Sequence, residues 1–188
     1  LRFSGEILPQ LEETEVHLAR RRVASGRGQP GMEVSLRQFR TAIEIFREEN
    51  VPLLTEIENH ATRYQKVTGS LTVLWDGEER TLPELQPYLQ DPDRAVRERA
   101  FRLGCEVYAS VRDELAGVFD QLFALRVQVA RNAGFADVEA YSFRSKCRFD
   151  HTPADRRRFH EAVETVLVPA VDRLMARMQA REVAPVIV

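Results

Sequence analysis

The sequence is poor in the groups that usually announce chemistry. Its 188 residues include two cysteines, one tryptophan and four histidines. Cys105 and Cys147 stand apart with no C-x-x-C spacing, so neither a disulfide framework nor a zinc ribbon is indicated, and both are expected as buried or half-buried free thiols. No stretch approaches the roughly 20 apolar residues that a membrane-spanning helix needs. The first residues also lack the basic segment, apolar segment and small-residue cleavage site of a secretory leader, so a cytoplasmic location is expected. Neither sign of charge is in excess: 27 Lys plus Arg against 29 Asp plus Glu leave a formal net charge of −2. That balance gives no general attraction to nucleic acid or to an anionic membrane, and neither is expected as a partner. Arg20-Arg21-Arg22 and Arg156-Arg157-Arg158 sit in helix-like sequence with acidic neighbours and read as solvated helix faces.

Catalytic signatures are scarce too. Of His17, His60, His151 and His160, only the last has suggestive company. His160-Glu161-Ala162-Val163-Glu164 begins like the H-E-x-x-H of zinc peptidases, where two histidines one turn apart bind the metal and the glutamate activates water, but Glu164 stands where the second histidine is needed. There is no G-x-S-x-G elbow, and no cysteine or serine has a plausible local base. Ser25 to Gly31 packs three glycines and a proline into seven residues; no strand precedes it and no G-K-[ST] follows, so it reads as a mobile connection rather than a phosphate cradle. From the residues alone, no catalytic and no metal-binding residue is assigned, no cofactor is expected in this chain, and no substrate-binding residue can be named.

What is present is helix. The dominant stretch runs over 91–134, where Asp91 suits an N-cap, Pro92 a first helical position and Asp93 the positive end of the dipole. Val96, Ala100, Leu103, Val107, Val111, Leu115, Val118, Leu122, Leu125 and Val129 then recur in steps of three and four, and Asn132 and Gly134 give a stop. Phe101, Tyr108, Phe119 and Ala130 widen the stripe, which predicts packing among several helices around one long rod.

Ahead of it, Leu8 to Val23 reads as one helix and Val34 to Val67 as a second long one, with a kink or break near Glu49-Asn50 imposed by Pro52. The one β signal is a hairpin over 70–82 turning at Asp76-Gly77, with Trp75 expected to anchor it rather than to stack on a ligand. Pro83 to Leu89 reads as a short helix or turn. Downstream, Phe135 to Phe143 predicts a short helix, and Thr152 and Pro153 open a last helix carrying Phe159, Val166, Leu167 and Leu174, with a kink at Pro169. The expected class is all-α: long antiparallel helices in an elongated bundle with one small hairpin, the whole of 1–188 forming a single helical region.

Several segments together resemble a known family. They are Phe46 to Leu54 (FREENVPLL), Tyr64 to Val73 (YQKVTGSLTV), Trp75 to Glu79 (WDGEE), Gln86 to Leu89 with Arg94 to Glu98, Ala130 to Phe135 (ARNAGF) and Arg148 to Pro153 (RFDHTP). In this order they resemble the N-terminal part of oligoendopeptidase F-type enzymes, the M3 family of zinc metallopeptidases, up to about Gln179. The resemblance implies a mostly helical parent that encloses its active site in a channel between N- and C-terminal parts, admits short peptides and attacks them with zinc-bound water. It implies zinc in the full-length enzyme, held by an H-E-x-x-H helix and a downstream glutamate in the C-terminal half. This sequence has neither, so no family catalytic residue is carried over and the chain alone is expected to be inactive.

Leu1 in place of Met and the apolar ending Ala184 to Val188 suggest a truncated piece of a longer protein. The expected partners are the missing C-terminal catalytic part or a second copy of the chain, because a stripe without its partner favours self-association. Oligopeptides are expected partners of the full-length enzyme. The alternative is a stand-alone helical module that binds a protein or peptide.

Overall fold

The computed structural model describes residues 3–26 and 30–180. Arg27, Gly28 and Gln29 of the glycine-rich connection and the tail from Arg181 to Val188 lie outside the described residues. The fold is all-α, 77% helical, with one antiparallel hairpin. The chain divides into two compact units, Leu1–Arg63 with Val118–Arg156, and Tyr64–Gly117 with Arg157–Val188.

The first unit begins with a π-helical turn at Phe3–Ile7 that runs into α1 (Leu8–Ala24), where Pro9 occupies the first turn. Helix α1 packs on α2 (Glu33–Ile45), burying Val16, Ala19 and Thr41. The interruption expected from Pro52 is a full break: α2 ends at Ile45 and α3 (Asn50–Gly69) starts afresh with the proline in its first turn, where no backbone donor is lost. Asn50 ties this start to α5 (Arg112–Asn132): its amide donates to the Val129 carbonyl at 3.1 Å and its oxygen accepts from Asn132 at 2.8 Å.

Helix α5 closes as its stop signal predicts. Gly134, at φ 85°, donates to the Arg131 carbonyl and Phe135 reaches back to that of Ala130, the paired bonds of a Schellman cap. Helix α6 (Val138–Ser145) starts three residues later than the periodicity suggests, because Asp137 caps it by accepting from the Ala140 N–H at 2.8 Å. It ends in the same cap geometry, with Cys147 rather than glycine in the left-handed region at φ 52°. Cys147 is half-buried as expected; Cys105 is exposed, contrary to expectation, because it lies on the wall of an open groove rather than in the core.

In the second unit, β1 (Thr72–Trp75) pairs with β2 (Glu78–Thr81) in the register Thr72 with Thr81 and Trp75 with Glu78. Asp76 and Gly77 both have positive φ, 53° and 86°, as the two-residue turn demands. Trp75 is the anchor, 3% exposed, with its ring centroid 4.4 Å from that of Tyr88 and the Arg99 guanidinium 4.3 Å from the ring. With Val73, Leu85 and Ala100 it forms the core of this unit. Two 3-10 turns, Leu82–Leu85 and Tyr88–Gln90, fold the chain back under the hairpin.

The rod expected over 91–134 is two helices. Asp91 is extended at ψ 140° and accepts from the Asp93 N–H, so Pro92 belongs to a turn and the cap is Asp93, which opens α4 (Arg94–Ser110). Val111 then leaves the helix at φ −106° and ψ 7°, and Asp113 and Glu114 supply the acidic first turn of α5. Ser110 contributes to the break by turning its hydroxyl onto the Val107 carbonyl at 2.7 Å. The stripe from Val96 to Val129 is buried or half-buried as expected, and of the residues expected to widen it Ala130 is buried, whereas Phe101, Tyr108 and Phe119 are exposed and do not widen it.

The last helix divides as well, into α7 (Pro153–Ala162) and α8 (Val168–Ala180) on either side of a π-helical turn at Val163–Leu167. Thr152 opens α7 through a reciprocal pair with Asp155, as predicted. Pro169 has no N–H for the fourth preceding carbonyl, and the wider turn, in which Val168 donates to the Val163 carbonyl, accommodates it. Phe159, Val166, Leu167 and Leu174 remain exposed. No described helix is long and apolar enough to cross a membrane.

Candidate functional site

An open groove of about 780 Å³ runs through the second unit. One wall is α4, whose Phe101, Cys105 and Tyr108 share a face because they are spaced by four and three residues. The opposite wall is the end of α3, at Gln65 and Thr68, and the turn at Leu82 and Pro83 that follows β2. Leu71, Leu85 and Ala100 form an apolar floor. The turn is held at its start: the Glu84 carboxylate accepts from both the N–H and the hydroxyl of Thr81, each at 2.7 Å. These hydrogen bonds, the main-chain one first, hold the Glu84 carboxyl below its usual range.

Beyond Phe101 and Cys105 the surface passes into a second hollow of about 450 Å³, flanked by Arg94, Glu98, Arg102 and Glu106. The Arg102 guanidinium donates twice to one Glu98 oxygen, at 2.9 and 2.7 Å, and this hydrogen bonding pulls the Glu98 carboxyl down. The groove therefore offers apolar contact along its floor and both charges at its rim. Nothing in its lining pairs a nucleophile with a base.

Among the described residues, no three His, Cys, Asp or Glu side chains converge closely enough to hold a metal. His160, the one residue of suggestive sequence, lies with its ring 6.3 Å from that of Phe159 on an exposed helix face. The described side chains do not fit the zinc site that the resemblance implies. The groove itself was not foreseen. Phe101 and Tyr108 carry the helical period of core residues, and only folding Leu82–Leu85 beside α4 makes them a lining.

The family model for peptidase family M3 matches residues 87–185. The chain belongs to the M3 peptidase family. This M3 chain is also similar to solved structures: PZ peptidase A with an inhibitor, at 24% identity and a TM-score of 0.88, and a protein assigned as an oligoendopeptidase F, at 24% and 0.85. A third, assigned as an oligoendopeptidase F from Bacillus anthracis strain Ames, aligns at 22% and 0.84. At these identities the likeness is one of fold. Each alignment covers 95% of this chain but 32%, 32% and 34% of the respective structure, so the chain spans about a third of their length. No curated protein matches it.

Proposed function

We propose that this M3 chain is the N-terminal helical part of a zinc-dependent oligoendopeptidase that hydrolyses short peptides, serving as wall or lid of the peptide channel, with the H-E-x-x-H part outside it. The observation that carries this reading is the alignment of 95% of the chain with a third of structures assigned as oligoendopeptidase F. The groove beside Phe101 and Tyr108 supports it by offering apolar peptide contact without a nucleophile paired to a base. A cytoplasmic location accompanies this reading.

The experiment is reconstitution. The chain is mixed with a separately produced H-E-x-x-H-bearing segment of an M3 oligoendopeptidase, and cleavage of a quenched fluorescent oligopeptide is followed. Chelator-sensitive cleavage that requires both pieces is expected; cleavage by this chain alone would overturn the reading.

A second reading, a stand-alone peptide-binding module, is favoured by the openness of the same groove. Calorimetric titration of this chain alone separates the two. Saturable oligopeptide binding that Phe101→Ala abolishes would favour the module. Without the catalytic part, the exposed residues of α7 and α8 would promote self-association.

A further inference from the structure

A hollow of about 100 Å³ lies within the first unit, where α1, the end of α2, the start of α3 and α6 approach one another. Most of its wall is apolar, including Val16, Ile45 and Leu54, yet Glu12 and Glu15 of α1 and the phenol of Tyr141 on α6 line it as well. Helices α2 and α3 contribute no ionisable side chain to this wall. Among the described residues the one cation lining it is Arg47, between them, and its donors go to main-chain carbonyls: Glu44 at 3.0 Å and Phe46 at 2.7 Å from Nη1, Ala133 at 3.3 Å from Nη2. The amide of Asn50 is likewise committed, to Val129 and Asn132.

Glu12 is thus a half-buried carboxylate lining a mostly apolar hollow, with Glu15 lining it too and no cation paired to Glu12 among the described residues. Burial first, and the charge of Glu15 second, hold its carboxyl above the ordinary value of 4.5. The same surroundings act on Tyr141: burial raises its phenol, and the Glu12 charge raises it further.

We propose that Glu12 is a proton-operated latch on α1: with a proton bound it seats the helix against α2 and α6, and when it ionises the helix loosens. The folded unit keeps this proton to higher pH than the unfolded chain does. The contribution to docking is thus complete below the ordinary glutamate range and is lost as pH rises through the raised folded value. A single linked proton changes the opening equilibrium by up to about tenfold per pH unit in that window.

Amide hydrogen exchange over 8–24 tests this between pH 4.5 and 7.5 after correction for intrinsic rates. The wild-type chain is expected to open more readily as pH rises, by up to about tenfold per unit. Glu12→Gln is expected to give a flat profile with greater protection at neutral pH, and Glu15→Gln to move the rise to lower pH by removing the neighbouring charge. Identical profiles for the wild type and Glu12→Gln would overturn the latch. An independent readout needs no variant: titration of the Glu12 side-chain carboxyl by carbon NMR. A midpoint above the ordinary 4.5 is expected, and a midpoint at or below it would overturn the proposal.

Discussion

Cys147 occupies a backbone position that an L side chain seldom adopts. At φ 52° it completes the cap of α6, donating to the Arg144 carbonyl while Arg148 reaches that of Phe143. Replacing it by glycine relieves the contact of Cβ with its own backbone and should stabilise the chain by about 1 kcal/mol in urea unfolding. An unchanged or lower midpoint would show that the thiol's packing matters more than the backbone. Nothing in the sequence discloses this position, because the usual signal is glycine, as at Gly134. Trp75 is the opposite case. A lone tryptophan beside an Asp-Gly turn has to anchor a ribbon too small to be stable alone, and it is 3% exposed against Tyr88 and Arg99. Trp75→Ala should cost about 3–5 kcal/mol, read as a lowered urea midpoint with loss of the hairpin's cross-strand NMR contacts.

At the scale of elements, caps decide boundaries that apolar periodicity leaves open. The stripe runs from Val96 to Val129 without a gap, so it predicts one rod; Ser110, the acidic pair Asp113-Glu114 and the local geometry at Val111 make two. Those competing signals are weak beside ten apolar positions in register, which is why the break was not legible. Pro52 and Pro169 were legible as interruptions because a missing N–H has a fixed consequence, although its form was not: a fresh start at α3, a π-helical turn before α8. Pro169→Ala restores the missing donor and should convert Val163–Leu167 to regular α-helix, visible as new protected amides; persistence of the wide turn would assign its cause elsewhere. At the turn after β2, the Glu84 carboxyl lies below its usual range because Thr81 donates to it twice. Its contribution is present above the ordinary carboxylate range and is lost as pH falls through the lowered value, so Glu84→Gln should flatten the acid limb of the hairpin's stability.

At the scale of the molecule, the fold class and the hairpin were readable because helical period and turn chemistry are local properties. The groove was not, because it exists only when Leu82–Leu85 lies beside α4, and residues exposed in it have the same spacing as core residues. The division into two units also escapes a periodicity argument, since α3 and α5 each continue from one unit into the other. As proposed above, this M3 chain supplies one part of a larger peptidase, an account carried by the alignment of 95% of the chain with about a third of the matched structures. Zinc content of the purified chain, measured together with cleavage of a quenched fluorescent oligopeptide with and without added zinc, tests that account most directly. It predicts neither stoichiometric zinc nor chelator-sensitive cleavage; one zinc per chain with chelator-sensitive cleavage would contradict it and point to a composite site around His160.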